Sequence, residues 1–200
     1  MAATSPLIIL VDTREQLIPP FPEGVVVEMT TLHEGDYTTR ALDGIAVVER
    51  KSESDFTSSL TWGRERFERE LERLRTYRWK AIVIEGDLGR LIERWQTDAV
   101  HAGRPKRGHG MHPYALVGSI ASLLARWDCP ALFVGSSVVS GRLIAGLLRR
   151  WQERLETENE KAACAESAAA SSVRSVKGEE GNDLYPDDGD VSTNSSRAVP

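Results

Sequence analysis

The run Val47-Val48-Glu49-Arg50-Lys51-Ser52-Glu53-Ser54-Asp55 (VVERKSESD) decides how this sequence is read. Two β-branched residues lead into three charged ones, and strand alternation sends Glu49 and Lys51 to one side of a sheet and Arg50 to the other. A carboxylate and an ammonium then face a common site. Just upstream, Ala41-Leu42-Asp43-Gly44 ends in an Asp-Gly step suited to a tight hairpin turn between extended segments at residues 37–40 and 45–49. That hairpin carries Asp36, from Glu34-Gly35-Asp36-Tyr37, toward Glu49 on the neighbouring strand.

Outward from this hairpin, residues 7–11 form a continuous aliphatic run stopped by Asp12, the pattern of a strand buried on both faces. Residues 25–29, 81–85 and 131–134 read as further short strands. Helical spacing appears at residues 64–78 (Phe67, Leu71, Leu74, Tyr77), from Pro113 to about Trp127, and at residues 140–156 (Leu143, Leu147, Trp151, Leu155). Residues 101–112, Gly-rich, basic and without periodicity, read as a long exposed loop. The acids Asp12, Glu15, Asp36, Glu49 and Asp55 all fall at strand ends, turns or helix starts, where a sheet can converge them, with Arg14, Arg50 and Lys51 interleaved. Two hard oxygen donors from neighbouring strands, completed by water and phosphate oxygens, suit Mg²⁺, which makes magnesium the expected metal. Such an ion polarises a phosphodiester and acidifies a bound water, and Lys51 beside it would orient that water or stabilise charge developing on phosphorus. The other reading of Glu49-x-Lys51 is a surface ion pair of little individual worth.

The chain has 200 residues, 40% hydrophobic and 28% charged, which fits one globular domain plus a tail. No apolar run approaches a bilayer's thickness, and the short apolar stretch near the N-terminus lacks the cationic lead of a signal peptide, so a cytoplasmic setting without membrane contact is expected, prokaryotic or viral, or nuclear in a eukaryote. Two cysteines, Cys129 and Cys164, cannot assemble a disulfide framework or a thiolate zinc site, and Cys129 reads as a small buried apolar group. The net charge of -5 lies wholly in residues 157–200, which hold 4 basic and 9 acidic side chains. Residues 1–156 are balanced, with arginine, the residue best shaped to grip phosphate, supplying nearly all the positive charge. The acidic tail, residues 157–200, has no apolar periodicity and is expected to be disordered.

Three motifs then agree with a known family. Val11-Asp12-Thr13-Arg14-Glu15, Gly35-Asp36-Tyr37 and the ERKSESD of residues 49–55 resemble, in order and spacing, the nuclease motifs of the XPF family of structure-specific DNA endonucleases, whose signature is GD…ERKxxxD. The likeness runs from about residue 7 to residue 150, with Gly63-Arg64 similar to the family's Gly-Arg step before a helix. It implies an α/β fold with a restriction-endonuclease-like PD-(D/E)XK core, a central mixed sheet flanked by helices, over residues 1–156. It also implies phosphodiester hydrolysis with Mg²⁺, or Mn²⁺ as a substitute, in branched, flap or fork DNA. By motif position, Asp36 and Glu49 would hold the metal, helped by the Arg50 carbonyl, and Lys51 would be the catalytic lysine. Asp12 and Glu15 would be supporting acids near the metal, with Asp12 as a further ligand, and Arg14 and Arg50 would contact phosphate or brace the carboxylates. Asp55 would stand close to the site and orient the following helix, or simply cap it. Family members usually follow the nuclease domain with a helix-hairpin-helix DNA-binding module, so a partner supplying one is expected. Their nuclease domains pair, so a homodimer through residues 113–156, with Trp151 and Leu155 at the interface, is expected too.

For DNA contact the candidates are Arg64 at the Gly-Arg step and Arg104, Lys106 and Arg107 in the loop, which have no acidic neighbours, although a merely mobile loop accounts for the latter three as well. Arg66, Arg69 and Arg73, interleaved with Glu65, Glu68, Glu70 and Glu72, read as a solvated helix face laced with ion pairs. A zinc site at His101, His109 and His112 is disfavoured by the glycine-rich spacing and the lack of cysteine. Two other functions compete with an endonuclease of branched DNA. One is a catalytically silent nuclease fold that binds DNA or a partner as a scaffold, and the other is a sequence-specific restriction enzyme.

Overall fold

Runs of β-branched and aliphatic residues suit strands, and six short extended segments form one sheet in this computed structural model, which describes residues 6–101 and 113–179. The strands are β1 (Leu7–Asp12), β2 (Val25–Thr30), β3 (Tyr37–Thr39), β4 (Ala46–Ser52), β5 (Trp79–Glu85) and β6 (Ala131–Val134), in the order β2-β1-β3-β4-β5-β6. β1 pairs with β2, β4 with β5 and β5 with β6 in parallel, while β3 runs antiparallel to both β1 and β4. The sheet is therefore mixed, and β3 is the short splice that joins its two parallel parts.

Helices α1 (Glu53–Leu60), α2 (Arg64–Leu74), α3 (Leu88–His101) and α4 (Pro113–Trp127) contribute to the apolar layer on one face. Phe56, Phe67, Leu71, Leu91, Leu116 and Leu123 pack there against Val47, Ile82 and Ile84. On the other face Ile144 and Leu148, from α5 (Ser137–Glu179), pack with Ile9, Val11, Tyr37, Val48 and Val83. Val47 and Val48 thus sit in opposite layers, which is the alternation on which the placement of Glu49, Arg50 and Lys51 depends. Cys129 is fully buried, and burial pushes its thiol up to about 12.

Several element boundaries differ from the sequence reading. The connection expected as a tight turn at Ala41–Gly44 opens with a 3₁₀ turn at Arg40–Leu42, and Gly44 takes the left-handed step at φ 70°. α3 was not anticipated, although Leu88, Leu91, Ile92 and Trp95 recur at helical intervals. Residue 101 ends α3 and so is helical, while 102–112 lie outside the described residues, among them Arg104, Lys106, Arg107, His109 and His112. α5 runs to Glu179, so residues 157–179 are helical where the sequence reading has a disordered tail. The Ala, Glu and Lys content of the segment favours helix even without an apolar face. By contact, Met1–Glu156 and Thr157–Pro200 are separate units. Trp151 stacks on Trp79 with ring centroids 6.5 Å apart, and Leu155 packs on the same layer, so both side chains serve the core of their own domain. No helix among the described residues is long and apolar enough to cross a membrane.

Candidate active site

The site grows from the end of β4. Glu49 and Lys51 continue the Val47 face toward α1 and α2, and Arg50 continues the Val48 face. Asp36 arrives from the residue before β3, where its N–H donates to the Val48 carbonyl at 3.0 Å and its Oδ2 accepts the Arg50 N–H at 2.7 Å. Gly35 makes this approach possible: it sits at φ 70°, and a Cβ there would lie 2.2 Å from Val47 Cγ2. In a strand the N–H and C=O of one residue point to the same side, so the Arg50 carbonyl also opens toward Asp36.

Lys51 Nζ lies 2.8 Å from Glu49 Oε1 and 2.9 Å from Glu70 Oε1, with the Phe67 ring centroid 5.5 Å away. Its side chain is only 11% exposed. Burial works against the ammonium, but the two carboxylates outweigh it and hold the Lys51 pKa above its ordinary value, so it is cationic at neutral pH. Asp36 and Glu49 are both pushed up, chiefly by burial. The Arg50 N–H works against this shift at Asp36 while the Glu15 charge adds to it, and the Asp36 charge adds to it at Glu49. Among the described residues Asp36 Oδ1 and Glu49 Oε2 have no protein partner. Those two oxygens and the Arg50 carbonyl are hard donors of the kind Mg²⁺ takes, and no group of three or more His, Cys, Asp or Glu side chains forms a closed cage among the described residues.

The other acids and arginines are braces. Asp12 is 1% exposed and accepts four bonds: from the Arg14 N–H at 2.7 Å, Arg14 Nε at 2.6 Å, Arg14 Nη2 at 3.1 Å and the Leu32 N–H at 2.8 Å. The Arg14 side chain, then the two N–H donors, hold its pKa below the ordinary value, and its lone pairs are used up. Its oxygens are thus taken by protein donors, where the sequence reading has Asp12 as a further metal ligand. Arg50 forks onto Glu85 with two bonds of 2.8 Å and also reaches Glu15 Oε1 at 3.4 Å, and Glu15 Oε2 accepts the Tyr37 hydroxyl at 3.1 Å. In this arrangement Arg14 and Arg50 are each paired with carboxylates. Ser52 caps α1 through the Asp55 N–H at 3.0 Å, and its hydroxyl donates to Asp55 Oδ2 at 2.7 Å. Asp55 is thus part of the cap while also lining the site.

A cleft of about 340 Å³ opens over this cluster, lined by Glu49, Lys51, Asp55, Ser58, Arg66 and Glu70 among others. Arg64 is not part of its wall and pairs with Glu68 at 3.1 Å on the helix surface. Two residues of the site escaped the sequence reading. Glu70 reads as a solvated residue in the sequence, yet it falls three after Phe67 and four before Leu74, on the buried stripe of α2. Glu85, the anchor of Arg50, ends β5 beside the end of β4, and that shared strand-end position was the available signal.

A family model described as the ERCC4 domain matches residues 11–147. The structure of XPF from Aeropyrum pernix is similar, with a TM-score of 0.54 and 26% identity over 76% of this chain and 69% of that one. A second structure, of XPF from Aeropyrum pernix in complex with DNA, gives a TM-score of 0.55 at 24% identity, over 74% of this chain and 66% of that one. No curated protein matches the sequence. With the mixed six-stranded sheet, the GDY and ERK residues meeting at its centre and the family model spanning most of the domain, this chain belongs to the ERCC4-domain family and carries an XPF-type nuclease domain.

Proposed function

We propose that the protein is a DNA endonuclease that uses Mg²⁺, or Mn²⁺, to hydrolyse phosphodiester bonds in branched, flap or fork DNA. The observation that carries this reading is the meeting of Asp36 and Glu49, from adjacent segments, with the Lys51 ammonium at the end of β4. Two carboxylates that burial and mutual repulsion make reluctant to ionise are expected to welcome a divalent cation. Bound there, the ion supplies Lewis-acid polarisation of the phosphodiester and a more acidic water. Asp36, Glu49 and the Arg50 carbonyl would hold it. Lys51, fixed between Glu49 and Glu70, faces the same cleft and stabilises negative charge as the phosphorus centre becomes five-coordinate.

Cleavage of a panel of forks, flaps, four-way junctions and plain duplex by purified protein, with Mg²⁺ or Mn²⁺, tests the reading. The expected result is nicking of the branched substrates, lost in Glu49→Ala and Lys51→Ala. Binding without nicks in either metal would establish the scaffold reading instead, and unchanged nicking in both variants would refute this site as the one that cuts. Cutting at fixed sites in linear duplex would establish the restriction enzyme. The reading extends to a homodimer through residues 113–156. Tyr114, Val117 and Leu124 of α4 are 84%, 48% and 58% exposed and fall on one stripe, a surface suited to burial against a second copy. Light scattering at the mass of one chain would remove the dimer. It extends also to a partner with a helix-hairpin-helix module, whose addition should sharpen discrimination between forks and duplex.

A further inference from the structure

Helix α2 presents more arginine than its own carboxylates consume. Arg64 takes Glu68 at 3.1 Å, Arg73 takes Glu34 at 2.5 Å, and Arg75, just past the helix, takes Glu72 at 3.4 Å. Glu70 is turned inward onto Lys51. Arg66 and Arg69 are left exposed and without a partner among the described residues, and they are neighbours on the helix surface at a separation of three. Arg66 is also a wall of the cleft that contains Glu49 and Lys51. An exposed guanidinium beside two buried acids has an alternative that this helix uses elsewhere, a surface ion pair, and neither residue takes it.

We propose that Arg66 and Arg69 form a clamp for the phosphodiester backbone of nucleic acid, Arg66 gripping a phosphate beside the one to be cut and Arg69 the next along the strand. The inference rests on the nuclease reading of the same site and assigns the residues that seat its substrate. The guanidinium fork fits phosphate oxygens with two bonds, whereas the acids below repel the same strand until a cation intervenes, so attraction at the rim has a defined task. It replaces the picture of this helix face as solvated ion pairs alone and adds to Arg64, whose charge is already matched by Glu68.

The test is fluorescence anisotropy of a labelled DNA fork with the full chain in EDTA, titrated from about 50 to 300 mM salt, so that no turnover enters the reading. Each of Arg66→Ala and Arg69→Ala should weaken binding by roughly tenfold at 100 mM and lower the slope of log affinity against log salt by about one. Arg66→Lys should keep the slope while losing part of the affinity, and Arg149→Ala, in a different cleft beside Pro6 and Thr39, should change neither. Affinity and slope unchanged in both alanine variants overturn the clamp and leave the nuclease reading standing. An equal loss in Arg149→Ala overturns it as well, since charge anywhere would then suffice. Wild-type protein without salt-dependent binding overturns the clamp, while the nicking assay with Mg²⁺ or Mn²⁺ decides the nuclease reading separately.

Discussion

Asp12→Asn separates a brace from a ligand. The two Asp12 oxygens accept four donors, and the amide must turn one of them into a donor, facing either the Leu32 N–H with Arg14 Nη2 or the Arg14 N–H with Nε. Arg14 is 68% exposed and its guanidinium can return to water, so its charge adds little to the cost. The new amide cannot, because Asp12 is 1% exposed, and whichever way it turns it takes the acceptor from one backbone N–H, that of Leu32 or that of Arg14. A stranded buried donor costs about 1–3 kcal/mol, so the substitution should destabilise the fold by about 2–4 kcal/mol. Urea unfolding followed by circular dichroism should show the midpoint falling by about 1–2 M. Because the Asp12 pKa is lowered, its contribution is complete above the ordinary aspartate range and is lost as pH falls through the lowered value, so the gap between wild type and variant should close in acid. Mn²⁺ affinity of the folded variant, measured by titration calorimetry, should stay within about threefold of wild type, against a loss of tenfold or more in Asp36→Asn. An unmoved urea midpoint with Mn²⁺ affinity down tenfold would show that Asp12 is a metal ligand and that the argument from its filled lone pairs is mistaken.

Glu49→Gln should stabilise the metal-free protein above neutral pH. The raised Glu49 pKa means that the folded state holds a proton which the unfolded chain has released, so wild-type stability falls as pH rises from the ordinary carboxylate range through the raised value, and an uncharged glutamine removes most of that slope. Melting curves in EDTA between pH 5 and 9 check this, and parallel curves for the two proteins would refute it. Glu70→Ala should lower the single-turnover cleavage rate about tenfold or more with little change in DNA affinity, and Glu70→Asp should restore part of it. A loss confined to affinity would mean that Glu70 does not act through Lys51. Gly35→Ala should cost about 2 kcal/mol or more, from the left-handed backbone and the 2.2 Å approach to Val47, and an unchanged melting temperature would contradict the close packing of the turn that delivers Asp36.

The alternation of β4 was legible because Val47 and Val48 feed opposite apolar layers, and the period of two carries through Glu49, Arg50 and Lys51 without interruption. Asp36 was legible because a short turn leaves its segment one place to go. Roles were harder to read than positions. Asp12 carries a motif letter, yet the number of donors that reach a carboxylate depends on backbone twenty residues away at Leu32, which no local pattern reports. Glu70 was hidden by its neighbours: a helix alternating Arg and Glu looks uniformly solvated until the phase of Phe67, Leu71 and Leu74 is applied to the charged residues as well as the apolar ones. Trp151 and Leu155 end an apolar stripe in the sequence, and only the position of Trp79 shows what Trp151 stacks on within the domain. The helix beyond residue 156 follows from propensity, a signal that periodicity alone ignores.

The two-pronged hold of Arg50 on Glu85 sits on the sheet face opposite Glu49 and Lys51. One residue gained or lost within β4 would rotate every side chain beyond it by half a turn. The guanidinium would then swing in among the acids, and the reacting groups would be carried to the opposite face, beside Glu85 and Glu15. The chain can therefore tolerate changes of length in its connecting loops far more readily than here, where the number of residues between the turn at Gly44 and the cap at Ser52 is itself part of the chemistry.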